Sequence, residues 1–179
     1  MKRVAICDYG AGNVRSVEVA FRRLGAEVVD DVAAADLAVL PGVGSAASAM
    51  AGLRARGLDE TLRERFEAGW PILGICLGFQ LALEETEEDG TVPGLRFLPG
   101  RAVRLREGRV PRIGWAPVEP EGDEFYFAHS YACETPAATA YSEGVVAAAA
   151  AGGFLGVQFH PEKSGSAGAR FLARCLSRA

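Results

Sequence analysis

With 179 residues and 49% hydrophobic side chains, the chain is long enough to bury about 70% of its extended surface, and one domain spanning 1–179 is expected. A formal net charge of −4 gives no ground for nucleic-acid binding, and no apolar run approaches the ~20 residues of a membrane span. Four cysteines, at 7, 76, 133 and 175, and two histidines, at 129 and 160, have no metal-ligand spacing, so neither a metal site nor a disulfide is expected.

Met1-Lys2-Arg3 runs straight into an apolar strand over 3–8, which leaves no signal segment and favours a cytoplasmic location. A helix follows over 13–24, with Val14, Val17, Phe21 and Leu24 at helical spacing and Gly25 suited to its end. A short strand is expected over 26–29, a fully apolar strand over 37–40, helices over 46–55 and 59–68, a strand over 71–75 and a helix over 77–85. This alternation predicts an α/β fold, an open sheet with a parallel core, right-handed crossovers and flanking helices. The second half reads as short strands over 95–98, 101–106, 123–127, 139–142, 145–150 and 153–158, taken as antiparallel additions beside the parallel core. A last helix covers about 167–178. Residues 84–90 read as an acidic surface loop. The arginines at 96, 101, 104, 106, 109 and 112 read either as a solvated hairpin face or as part of a partner surface.

The segment Gly74-Ile75-Cys76-Leu77-Gly78 carries the strongest chemical signal. A cysteine between glycines, after an apolar strand and before a helix, has the form of a nucleophile elbow. The glycines allow a tight turn, and a helix start favours a thiolate. A buried core cysteine in a strand–helix turn is the alternative. A catalytic cysteine needs a base, and His160 is the better candidate because Pro161 holds the chain extended and Glu162, two residues on, can fix its tautomer. His129 has no carboxylate two residues away. Gly42, Val43 and Gly44 follow the strand over 37–40, and their N–H groups, with that of Leu77, can hold a developing oxyanion. Simple turn use of Pro41-Gly42 is the alternative there, while the lack of a Gly-Lys-Ser/Thr ending argues against a nucleotide loop. Pro41, Cys76 and His160 all follow strand ends, so they can meet at the carboxyl edge of a parallel sheet.

Gly74-Ile75-Cys76-Leu77-Gly78-Phe79-Gln80 together with Phe159-His160-Pro161-Glu162 resembles the class I, triad-type glutamine amidotransferases, whose fold is flavodoxin-like. The segments Asp8–Asn13, Pro41–Gly44, Ala128–Tyr131 and Val157–Ser164 resemble, within that family, the glutaminase subunits of imidazole glycerol phosphate synthases. The likeness extends from Asp8 to Ser164. It implies Cys76 as nucleophile, His160 as base and then acid, and Glu162 as the group that orients the imidazole. It further implies that Gly42, Val43, Gly44 and Leu77 serve the oxyanion, and that Gln80, Ser130 and Tyr131 hold L-glutamine. Asn13, Trp115 and Lys163 match positions near a partner, a separate (β/α)8-barrel cyclase subunit that receives the ammonia in histidine biosynthesis. No metal or organic cofactor is implied. The chain departs from the pattern at Ala46, where an aromatic residue is common, and over Pro111–Ala116, where the family usually carries His-Met before the Gly-Trp. The glutaminase of pyridoxal phosphate synthesis, an elbow protein with a reactive cysteine and a flavodoxin-like binding module are the rival readings.

Overall fold

Leu37-Ala38-Val39-Leu40 is buried along its whole length, as a strand covered on both faces must be. The computed structural model describes residues 1–10, 12–120 and 122–179; Ala11 of the Asp8–Asn13 segment lies outside the described residues. In chain order the elements are β1 (Arg3–Ile6), α1 (Val14–Arg23), β2 (Glu27–Val29), β3 (Leu37–Leu40), α2 (Ala46–Ala55), α3 (Leu58–Glu67), β4 (Ile72–Ile75) and α4 (Leu77–Gln80). Then come β5 (Glu85–Thr86), β6 (Val92–Pro93), β7 (Arg101–Arg104), β8 (Arg112–Val118), β9 (Asp123–His129), β10 (Tyr131–Glu134), β11 (Ala138–Ser142), β12 (Val145–Ala151), β13 (Phe154–Val157), a 3-10 turn (Pro161–Lys163) and α5 (Gly165–Arg178).

The main sheet has seven strands in the order β11-β12-β13-β4-β3-β1-β2. The run from β13 to β2 is parallel, and β12 and β11 add antiparallel strands at one end. Period-two alternation sends Ala5, Ala38, Leu40 and Ile72 to one face, against Met50 and Leu53 of α2 and Leu62 of α3. Val4, Val39, Leu73, Ile75 and Val157 face the other way, against Val17 and Phe21 of α1 and Leu172 and Leu176 of α5. Each fully buried side chain of the Phe21 or Leu40 kind contributes ~1.5–3 kcal/mol. Arg65 of α3 is buried and has no carboxylate partner among the described residues. It donates instead to the carbonyls of Val32, Ala33, Ala35 and Pro71, tying down the segments that lead into β3 and β4.

Several expected elements differ. Phe154–Val157 is not an antiparallel addition: it pairs in parallel with β4, inside the core of the sheet. The helix expected over 77–85 stops at Gln80, because the carbonyls of Leu81, Ala82 and Leu83 accept from N–H groups of residues 95–98 instead of continuing the helix. For the same reason 95–98 is a loop docked on that segment and not a strand. β5, β7 and β10 join β6 in a second sheet of four strands, and β8 with β9 forms a two-stranded ribbon. The acidic segment over 84–90 lies at the surface as expected, but it is not all loop: Glu85–Thr86 is β5, Thr86 is buried, the Glu88 carboxylate accepts from Ala46 N–H at the start of α2, and Ser45 bonds Asp89. Arg112 stands apart from the exposed arginines before it, lying over the Phe127 ring at 4.2 Å and donating to Ser142 and Glu143.

Candidate active site

β13, β4 and β3 are neighbours in the sheet. Strands sit about 4.8 Å apart, so the segments that follow these three meet within roughly 10 Å although the first and last lie more than a hundred residues apart in the chain. Cys76 follows β4 with φ 53° and ψ −106°, a left-handed geometry uncommon for a residue with a side chain. Its N–H is held by the Val157 carbonyl at 2.8 Å, and its carbonyl accepts from Phe79 and Gln80. The flanking glycines are sterically required. A Cβ on Gly78 would lie 1.8 Å from the Leu40 carbonyl oxygen, and one on Gly74 would lie 2.8 Å from the Phe154 ring. α4 is a single turn, so its dipole is weaker than a long helix would supply.

His160 follows β13. Its N–H donates to the Tyr126 carbonyl, and its own carbonyl accepts from the Ser164 hydroxyl at 2.6 Å. The Nδ1 atom is 2.9 Å from Glu162 Oε1, with both side chains almost completely buried. Glu162 reaches the ring from the 3-10 turn over Pro161–Lys163 and not from an extended segment: Lys163 and Ser164 N–H groups close back on the His160 and Pro161 carbonyls. Burial disfavours the imidazolium, but hydrogen bonds and charge from Cys76 and Glu162 outweigh it and push His160 up to about 9. Imidazole and carboxylate thus form one buried pair, with the Cys76 thiol close enough to act on the charge of the ring.

Gly42 is buried against the elbow; a Cβ there would lie 2.5 Å from Leu77 Cβ and 2.8 Å from Gly78 N. Val43 is exposed, and Gly44 has φ 97°. The Tyr9 hydroxyl donates to the Pro41 carbonyl at 2.7 Å and anchors the base of this loop. Leu77 is the first residue of α4, so its N–H has no partner within the helix. Gln80 is buried, and its Nε2 donates to the Tyr131 carbonyl (2.9 Å) and to Gln158 Oε1 (3.2 Å). Both of its amide hydrogens are thus used inside the protein. Ser130 and Tyr131, half-buried, form the bend into β10 beside this contact, and the Ser130 carbonyl accepts from Leu105. Trp115, exposed on β8, meets the Tyr126 ring edge-on at 6.1 Å, and Lys163 Nζ lies 5.9 Å from the same ring. Asn13 sits half-buried at the start of α1, which packs on the 3-10 turn.

His129 is a buried structural side chain. Its Nδ1 is 2.8 Å from the Tyr131 carbonyl, which only accepts, so Nδ1 carries the proton. Burial foremost, with help from the charges of Arg112 and His160, pulls its pKa down to about 4. No group of three or more metal-binding side chains occurs among the described residues.

Residues 5–179 match the family model described as glutamine amidotransferase class-I. The chain belongs to the class-I glutamine amidotransferase family. A protein of Symbiobacterium thermophilum named imidazole glycerol phosphate synthase subunit HisH is 46% identical over 97% of this chain and 92% of its own length. Proteins of the same name from Chlorobaculum tepidum and Moorella thermoacetica are each 43% identical over more than nine-tenths of both chains. A crystal structure of a glutamine amidotransferase superposes with a TM-score of 0.79 over 98% of this chain and 99% of its own, at 21% identity. The structure of PurLQS from Thermotoga maritima gives 0.76 over 99% of both chains, at 18% identity. These two share the fold, an α/β sheet covered by helices.

For a member of the glutamine amidotransferases, the array at the sheet edge has the parts that cysteine acyl transfer requires: a sulfur, an oriented imidazole and a glycine-rich loop packed against the elbow. Sequence reasoning missed two contributors. Tyr9 braces the Pro41 loop, and Gln158 donates through Nε2 to Cys76 Sγ at 3.5 Å. The available signal for Gln158 was a lone amide inside the apolar run Gly156–Phe159.

Proposed function

We propose that the chain is the glutaminase subunit of an imidazole glycerol phosphate synthase, a single domain acting in the cytoplasm in histidine biosynthesis. The observation that carries this reading is the buried His160–Glu162 pair set against the Cys76 sulfur, in a chain 46% identical to a protein of that name. The Cys76 thiolate attacks the side-chain carboxamide carbon of L-glutamine, and the C=O electrons move onto oxygen. Backbone N–H groups of Gly42–Gly44 and Leu77 stabilise that oxyanion; losing one such donor costs about 2.7–4 kcal/mol. His160, charged at neutral pH, gives its proton to the departing ammonia and leaves a thioester. It then takes a proton from water, which attacks the thioester and releases glutamate. Glu162 keeps the ring oriented through both steps. Gln80 and the Ser130-Tyr131 bend hold the substrate. No metal or organic cofactor is needed.

The ammonia passes to a (β/α)8-barrel cyclase subunit. The exposed Trp115 and Lys163, with Asn13 at the start of α1, are the proposed docking edge, because the first two gather on the Tyr126 ring and the Tyr126 carbonyl holds the His160 N–H. A glutaminase working alone wastes glutamine, and the 41–44 loop can change a peptide orientation cheaply at its glycines. Docking is therefore expected to switch the site on by reorienting that loop. The test mixes the chain with the cyclase subunit and that subunit's ligand. Glutamine should then replace free ammonia, and Cys76→Ala should abolish the glutamine-dependent reaction while sparing the ammonia-dependent one. Glutamine turnover that is equal with and without the cyclase would refute the activation; no glutamine-dependent product at all would refute the function.

A further inference from the structure

We infer that Gln158 is a thiolate-stabilising residue, aimed at the Cys76 sulfur by an amide relay that begins at the Tyr131 carbonyl and passes through Gln80. This deepens the reading of Cys76 as the nucleophile and rests on it.

The orientation of the relay follows from what each atom can do. The Tyr131 carbonyl only accepts, so the Gln80 nitrogen must face it, at 2.9 Å. The second hydrogen of that nitrogen points to the Gln158 side chain at 3.2 Å, so the atom there must be oxygen. The Cys133 thiol, held in its protonated form by burial, approaches the same oxygen at 3.8 Å. Two donors therefore fix the Gln158 oxygen, and its nitrogen is left facing Cys76 Sγ at 3.5 Å. Flipping the Gln158 amide would set nitrogen against nitrogen on the Gln80 side and oxygen against sulfur on the other. Gln158 is fully buried, and its backbone N–H is tied to the Ala147 carbonyl, so the side chain has no solvent alternative.

The sulfur thus has two different neighbours besides His160. The Ala128 carbonyl, at 3.9 Å, can only receive an S–H. The Gln158 N–H can only give, and hydrogen bonds to an ionised acceptor are roughly twice as strong as neutral ones. When the proton leaves for His160, the Ala128 contact loses its purpose and the Gln158 contact strengthens. The relay therefore favours the reactive form. The titratable groups around the sulfur are His160, Tyr9 and Cys133, with Glu162 and His129 behind His160.

The test follows alkylation of Cys76 by iodoacetamide against pH in the full chain, reading Cys76 alone by peptide mass spectrometry. In Gln158→Met, a side chain of similar length without a donor, the midpoint should rise by about one pH unit, or roughly tenfold less reactive sulfur at a pH below it. Gln158→Leu, which also lacks a donor, should raise it to a similar extent. A merely structural role lowers the plateau rate or the melting temperature and leaves the midpoint in place; unchanged midpoints in both variants overturn the inference. A second readout needs no variant at position 158: the Gln158 side-chain amide proton should move downfield across the Cys76 midpoint in the parent chain and not in Cys76→Ala. An amide proton that does not move also overturns the relay. Alkylation requires no glutamine turnover. Turnover without a midpoint shift in the variants sinks the relay alone, and a shift in a chain that never hydrolyses glutamine sinks the functional reading alone.

Discussion

Replacing Glu162 by Gln perturbs the site where its electrostatics are best defined. His160 holds its proton up to about 9, against an ordinary 6.5. Burial opposes the charged ring, and the hydrogen bonds and charges of Cys76 and Glu162 overcome it; the net rise is worth about 3 kcal/mol. A glutamine at 162 keeps the shape of the 2.9 Å contact and removes its negative charge. Burial then meets a weaker opponent, and the His160 midpoint should fall by about one to three pH units. The chain has only two histidines, and His129 is held at about 4, so an NMR titration of the ring protons separates them cleanly. Stability carries a second signature. A raised native pKa stabilises the fold in full below the unfolded value of 6.5, and that contribution is lost as pH rises through about 9. The stability lost in Glu162→Gln, from denaturant titrations, should therefore be largest near about pH 6 and shrink by about pH 10. Glutamine turnover should drop about 10²–10⁴-fold, the usual worth of acid–base catalysis. A His160 midpoint near 6.5 in the parent chain, or one that does not move in the variant, refutes the reasoning.

A glutamine-like alkylating agent should label Cys76 and spare the other thiols, because burial pushes Cys7 up to about 12 and Cys175 up to about 11, and raises Cys133 well above the usual range. Peptide mapping that finds equal label on Cys133 would contradict this. Gly42→Ala places a Cβ 2.5 Å from Leu77 Cβ and 2.8 Å from the Gly78 nitrogen. Overpacking of this kind costs about 1–3 kcal/mol, and because it pushes the loop off the elbow, glutaminase kcat should fall by roughly tenfold or more. A kcat within twofold of the parent would show that the loop donors are not set by this contact.

The parallel half of the fold was legible because its strands are buried on both faces and read as apolar runs: 37–40 and 72–75 contain no polar residue. The ribbon of β8 and β9 was half legible. β9 alternates in burial and was found, whereas β8 carries Gly114 and Pro117 and exposes the apolar Ile113, Trp115 and Pro117, so its six apolar residues over 113–118 show no alternation of apolar and polar side chains to mark a strand. β13 was found as a strand but given the wrong direction, since nothing local tells Phe154–Val157 that its partner on one side is β4, some eighty residues upstream. The placement of Cys76 and His160 at the sheet edge was legible because each follows a strand and is marked by its own punctuation, glycine or proline. The path by which Glu162 reaches the ring was not, because the choice between extended chain and 3-10 turn is made by the Ser164 hydroxyl, which bonds the His160 carbonyl and the Tyr126 N–H. Gln158 and Tyr9 were illegible for a similar reason: a buried polar side chain acquires its meaning only from partners brought to it by the rest of the fold.

Those partners are brought close by missing side chains as much as by present ones. A Cβ on Gly156 would lie 2.2 Å from the Phe79 ring, and one on Gly78 would lie 1.8 Å from the Leu40 oxygen. β13, β4 and β3 therefore press against α4 more closely than ordinary residues permit, and the distance from the Cys76 sulfur to His160 and Gln158 is set by that contact. β12 pairs antiparallel with β13 on its far side and holds its register, Ala149 opposite Gly156 and Ala148 opposite Val157. The alanine-rich β12, which carries no chemistry of its own, thus acts on the site by fixing the strand that delivers Gln158 and His160. The tight side of β13 sets how near the imidazole comes, and the paired side sets which residues arrive there.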